Sequence, residues 1–233
     1  MKAQIKSSIK RLLLKYSYQI QRVKSSKDDP IHLWDGDKQF EDIFKQIIVH
    51  TLVDKIRCFM IYQYAKQVAI LSGDVAEVGV YKGGTAKLLV KTFEPALKTV
   101  HLFDTFSGMP PTDPNKDIYK EGDFGDITLE SVKTFLQDCK NVCLYPGLFP
   151  QSIPDSLKKK KFCMVHIDVD IYKSVMNCCE FFYPRLEKSG IMIFDDYGFP
   201  LCPGAKTAVD DFFLKKTEKP FYLPTGQCII TRS

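Results

Sequence analysis

Ile5, Ile9, Leu12, Leu13, Tyr16, Ile20 and Val23 recur every three or four positions with Lys and Arg between them, so the chain opens on a segment that predicts a basic amphipathic helix. Residues 25–37 carry Pro30, Gly36 and polar side chains and read as a linker. Helical spacing then returns over Phe40–Val68 with no Gly or Pro, so two helices are expected ahead of the first strand. From Asp74 the period changes. Short apolar runs at Val75–Val80, Val100–Phe103, Val142–Tyr145, Cys163–Val169 and Ile191–Phe194 alternate with helical stretches at Gly84–Phe93, Leu129–Cys139, Tyr172–Leu186 and Ala205–Lys215. That alternation predicts βαβ units, hence an α/β fold with a doubly wound, mostly parallel sheet. Phe221–Leu223 and Gln227–Thr231, joined by Pro224-Thr225-Gly226, predict an antiparallel strand pair at the C-terminal end. The division is thus 1–37, basic helix and linker, and 38–233, one α/β domain. Ser107–Ile127, rich in Gly, Pro and Asp, is too long for a plain connection and is expected to be functional.

Charge changes this picture at one end only. The net charge is +5, but residues 1–27 hold eight Lys or Arg and no acid, leaving 25 basic against 28 acidic residues, a net of −3, in the rest. A slightly acidic body excludes a phosphate-neutralising groove on the core, so no nucleic-acid partner is expected. The basic helix either packs on the body or a partner subunit, or lies on anionic lipid as a peripheral membrane contact. No run of about 18 apolar residues is present, so no membrane-spanning helix is expected. Lys15 interrupts the first apolar run and no small-residue cleavage site follows, unlike a secretory signal. The eight cysteines form no CxxC pair and several lie in apolar runs, reading as small buried hydrophobes in a reducing, cytoplasmic setting.

The first predicted strand runs into Glu77-Val78-Gly79-Val80-Tyr81-Lys82-Gly83-Gly84-Thr85, a strand, a glycine-rich turn and a helix start in the order a nucleotide site needs. Tyr81 stands where a dinucleotide fingerprint wants a second glycine, which weighs against a nicotinamide oxidoreductase. Glu77 suits a ligand with an ammonium group and no phosphate, as the methionine half of S-adenosylmethionine is. Asp104 ends the second strand about twenty residues on, where a carboxylate accepts ribose hydroxyls, and Ser107 follows it toward the same pocket. The fourth strand ends in Asp168 and Asp170 and the fifth in Asp195 and Asp196, on the edge where doubly wound sheets bind ligands. Gathered carboxylates repel unless a cation or protons neutralise them, and hard oxygen donors favour Mg²⁺ or Ca²⁺, with Mg²⁺ the better candidate. Taken singly, each of these acids also suits a helix cap or a Lys partner. His166 and His101 read as packed, hydrogen-bonded strand histidines, and Lys158–Lys161 as a solvated turn.

Five motifs in order carry a family resemblance: Gly73 to Gly84, Phe103-Asp104-Thr105-Phe106-Ser107-Gly108-Met109-Pro110, Gly147-Leu148-Phe149-Pro150-Gln151-Ser152, His166-Ile167-Asp168-Val169-Asp170-Ile171-Tyr172, and Phe194-Asp195-Asp196-Tyr197. Together they resemble the macrocin and mycinamicin sugar O-methyltransferases, from about Thr51 to the end of the chain. The resemblance implies a Rossmann-like class I methyltransferase and an S-adenosylmethionine site built from Glu77, Gly79, Tyr81, Gly83, Gly84, Thr85, Asp104, Ser107 and Gly147. It also implies Mg²⁺ on Asp168, Asp195 and Asp196, Asp168 as the base, a homo-oligomer, and a sugar hydroxyl of a natural-product glycoside or cell-surface glycan as acceptor. The rival readings are the same fold methylating a catechol or other vicinal diol, and a non-catalytic nucleotide-binding protein.

Overall fold

A seven-stranded sheet in the order β3-β2-β1-β4-β5-β7-β6 organises the chain. Its strands are β1 (Asp74–Val78), β2 (Val100–Asp104), β3 (Val142–Pro146), β4 (Phe162–Ile167), β5 (Leu186–Phe194), β6 (Phe221–Tyr222) and β7 (Cys228–Thr231). Strands β1 to β5 are parallel, and β7 runs antiparallel to both β5 and β6. This is a computed structural model that describes residues 34–233, of which Gly36–Ser233 form one unit. The basic segment expected over residues 5–23 lies outside the described residues. Among those described, no helix is long and apolar enough to cross a membrane.

The order turns outward on both sides of the β1/β4 boundary, which opens a crevice at the carboxyl ends of these two strands. Helices α1 (Lys38–Ile47), α2 (Lys55–Val68) and α3 (Gly84–Phe93) pack on one another, and α5 (Tyr172–Phe182) packs on α6 (Pro203–Phe213). The short α4 (Leu129–Phe135) begins at Thr128, whose side chain and that of Ser131 cap each other's backbone. Beneath α5 and α6, Phe103, Phe149, Phe162 and Phe182 interlock with ring centroids 5.1–6.3 Å apart. Each such buried ring contributes about 1.5–3 kcal/mol.

Three differences from the sequence pattern have local causes. Phe40–Val68 is two helices, because Asp54 caps α2 by accepting from the Ile56 and Arg57 amides and Thr51 Oγ1 accepts from the Val53 amide. Such side-chain bonds compete with the helical ladder. Helix α5 stops at Phe182, and Pro184 confines the continuation to one 3-10 turn. Strand β4 stops at Ile167, after which Asp170 takes a positive φ of 58°. Six cysteines are buried as expected, but Cys139 is half-buried and Cys143 exposed on the edge strand β3.

Candidate active site

The turn after β1 is held open by glycine and closed by a carboxylate. Gly79 has φ 88°, and a Cβ there would stand 1.7 Å from the Asp168 carbonyl oxygen, so only glycine lets the ends of β1 and β4 meet. Asp104 Oδ2 accepts from the amides of Val80 (2.7 Å) and Tyr81 (3.0 Å), and Oδ1 from Phe106 (2.7 Å). Helix α3 starts from Gly83 with no side-chain cap, leaving amide donors at its first turn. Gly84 fits because its amide donates to His50 O at 2.9 Å, an approach a Cβ would block.

Above this turn lies a cavity of about 410 Å³, within the range of small-molecule sites. Of the residues expected from sequence, Gly79, Tyr81, Thr85, Asp104, Gly147, Asp168 and Asp196 form its wall. Glu77, Gly83, Gly84, Ser107 and Asp195 are not part of that wall. Glu77 is fully buried, with Oε1 2.8 Å from His166 Nδ1 and Oε2 without a hydrogen-bond partner. The long loop after β2 supplies Met109, Tyr119 and Phe124 to the wall. Asp117 pins that loop, accepting from the Tyr172 amide at the start of α5 at 2.8 Å.

Past the ends of β4 and β5, carboxylate oxygens of Asp168, Asp195 and Asp196 all lie within 4.8 Å of one another. Asp170, Asp196 and Cys202 form an overlapping group. Burial, then the charges of Asp195 and Asp168 respectively, pushes the Asp168 and Asp196 carboxyls well above the usual carboxylate range. Burial likewise raises Asp170 to about 6. Burial works in the same direction on Asp195, but His166, Arg57 and Gln227 outweigh it and hold that carboxyl low. Asp195 Oδ2 is paired with Arg57 Nη1, and Oδ1 accepts from Gln227 Nε2 at 2.8 Å. Three hard oxygen donors in this excess of negative charge fit a divalent cation such as Mg²⁺.

Arg57 is the site residue the sequence pattern hid. It lies in the first turn of α2, lines the cavity, and stacks over the Phe199 ring at 4.6 Å. No local signal separates it from the other basic residues of that segment; only the docking of α2 on β5 does. His166 and His101 are packed and hydrogen-bonded as read, His101 between Asp74 (3.1 Å) and the Tyr145 hydroxyl (3.0 Å).

A family model described as macrocin-O-methyltransferase (TylF) matches residues 6–221. The chain belongs to the macrocin O-methyltransferase family. It is thus an S-adenosylmethionine-dependent O-methyltransferase. The match begins at residue 6, well ahead of Thr51, so most of the basic N-terminal segment falls inside the family's span. Mycinamicin III 3''-O-methyltransferase of Micromonospora griseorubida is 27% identical to this chain over 66% of it and 68% of its own length. The 8-demethyl-8-(2,3-dimethoxy-alpha-L-rhamnosyl)-tetracenomycin-C 4'-O-methyltransferase of Streptomyces olivaceus is 26% identical over 71% and 68%. Among solved structures, the O-methyltransferase NovP superposes with a TM-score of 0.69 at 25% identity, over 79% of this chain and 82% of that one.

Proposed function

We propose that the chain methylates a sugar hydroxyl of a natural-product glycoside or a cell-surface glycan and depends on Mg²⁺ held by Asp168, Asp195 and Asp196. The observation that carries this reading is one cavity whose wall includes both the glycine turn with Asp104 and the carboxylates Asp168 and Asp196. Relatives named for methylating mycinamicin III and a rhamnosyl tetracenomycin support a sugar acceptor.

The methyl donor takes the end formed by Gly79, Tyr81, Thr85, Asp104 and Gly147, with Gly83, Gly84 and Ser107 shaping the turns around it. The orphaned, buried Glu77 Oε2 beneath this end is an acceptor that suits the donor's ammonium group, directly or through water. Bound there, the donor supplies an electrophilic methyl on sulfonium sulfur, and the ion supplies a Lewis acid to the acceptor oxygens. Asp168 takes the hydroxyl proton: it lines the cavity and its carboxylate sits with those of Asp195 and Asp196. Tyr119, Phe199 and Leu201 wall the acceptor end with apolar surface and keep water from the reacting oxygen.

Labelled S-adenosylmethionine incubated with a panel of glycosides and catechols decides between acceptors. Methylation of a glycoside, abolished by EDTA and restored by Mg²⁺, is the expected result. Full activity in EDTA, or transfer to catechols alone, would overturn the reading.

A further inference from the structure

Four neighbouring strands each bring one polar side chain to a row that crosses the sheet under the cavity. Glu77 of β1, His166 of β4, Asp195 just past β5 and Gln227 just before β7 are all fully buried. Register makes the row. Glu77 and His166 are partners across β1 and β4, and Phe194 pairs with Cys228 across β5 and β7. One step beyond that last pair, Asp195 faces Gln227, and Arg57 closes the row from α2. A buried polar group is costly unless it is hydrogen-bonded, which favours side chains that hold one another.

His166 is the shared member. Its Nδ1 is 2.8 Å from Glu77 Oε1 and its Nε2 is 3.5 Å from Asp195 Oδ1. Both neighbours are carboxylates, so each ring nitrogen faces an acceptor. The ring is rigid, so a shift of one carboxylate turns the face offered to the other. Glu77 ends the strand that feeds the glycine turn, and Asp195 belongs to the carboxylate trio, so this one ring spans both halves of the site.

We infer that His166 is a positioning residue that couples the two halves, fixing Glu77 beneath the methyl-donor end and Asp195 at the metal end so that binding at one is felt at the other. This rests on the metal and donor assignments above. Partners that orient metal ligands are worth roughly ten- to hundredfold in metal affinity.

Calorimetric titration of the full chain with Mn²⁺ and with S-adenosylhomocysteine, each alone and with the other present, tests it. The wild-type protein is expected to bind each ligand more tightly in the presence of the other. His166→Gln keeps a donor for one carboxylate but cannot span both; it should weaken Mn²⁺ binding roughly tenfold or more and abolish the mutual tightening. Gln227→Met removes the other donor to Asp195 Oδ1 without touching Glu77; it should weaken Mn²⁺ and leave S-adenosylhomocysteine binding alone unchanged. A folded His166→Gln protein, judged by circular dichroism, with wild-type Mn²⁺ affinity and intact coupling would overturn the inference. If that variant does not fold, a wild-type protein that binds Mn²⁺ and S-adenosylhomocysteine with no mutual tightening overturns it instead. A wild-type protein that binds no Mn²⁺ would instead sink the metal assignment, and the coupling with it.

Discussion

Asp104 already accepts three backbone amides with one carboxylate, and each of those bonds shapes the turn that meets the donor. Asp104→Asn sets an amide donor against at least one of them. With charged hydrogen bonds worth about 1.5–3 kcal/mol, S-adenosylhomocysteine affinity should drop roughly ten- to hundredfold, read by calorimetry. An unchanged affinity would mean that the carboxylate is dispensable to the turn. Arg57 plays a comparable part beside the acids, as the cation against a fully buried Asp195. Breaking a buried pair from one side costs about 3–5 kcal/mol, so Arg57→Met should lower the melting temperature of the metal-free protein. Added Mn²⁺ should then recover more of the melting temperature in the variant than it adds to the wild type. Equal gains in both proteins would show that the ion and Arg57 do not share Asp195.

Helix α2 reaches the site only because the chain breaks before it. Asp54 starts the helix, and the preceding link brings His50 and Thr51 to the cavity wall and His50 O to the Gly84 amide. Asp54→Ala should cost about 1 kcal/mol of stability through the lost cap, and it also removes a partner of Arg57. The loop after β2 depends in the same way on Asp117, which borrows the start of α5 for its anchor. Asp117→Ala is expected to leave the sheet intact and raise the rate of limited proteolysis within residues 105–127. A cleavage rate equal to that of the wild type would show that the anchor is redundant. Periodicity finds these helices and strands, because burying one face of each is a local demand on spacing. It misses where Phe40–Val68 breaks, since that depends on two side chains satisfying backbone groups in place of the helical ladder.

The far edge of the sheet is tied together by Glu218, which accepts from the Tyr183 hydroxyl (2.6 Å), Arg232 Nη1 (2.8 Å) and Ser233 Oγ (2.7 Å). Burial pushes its carboxyl up, but the Tyr183 and Ser233 hydroxyls and nearby backbone amides outweigh it and hold the pKa at about 2, below the ordinary 4.5. A depressed carboxyl contributes stability that is present above its unfolded pKa and lost as pH falls through the folded one. The melting temperature should therefore fall between roughly pH 4.5 and pH 2, and Glu218→Gln should flatten that fall; an unchanged slope in the variant would refute the link. Over the whole chain, the α/β alternation, the glycine turn, Asp104 and the four acids at strand ends are all legible in the sequence. Each is dictated by a short-range requirement: a period, a positive φ, or a polar residue at the carboxyl end of an apolar strand. Only the tertiary structure decides which of these residues meet. Glu77 bonds His166 across 89 positions of chain, and Arg57 reaches Asp195 across 138. Such partners are chosen by strand order and helix docking, which sum many weak contacts over the entire sheet and leave no mark in the sequence around either residue.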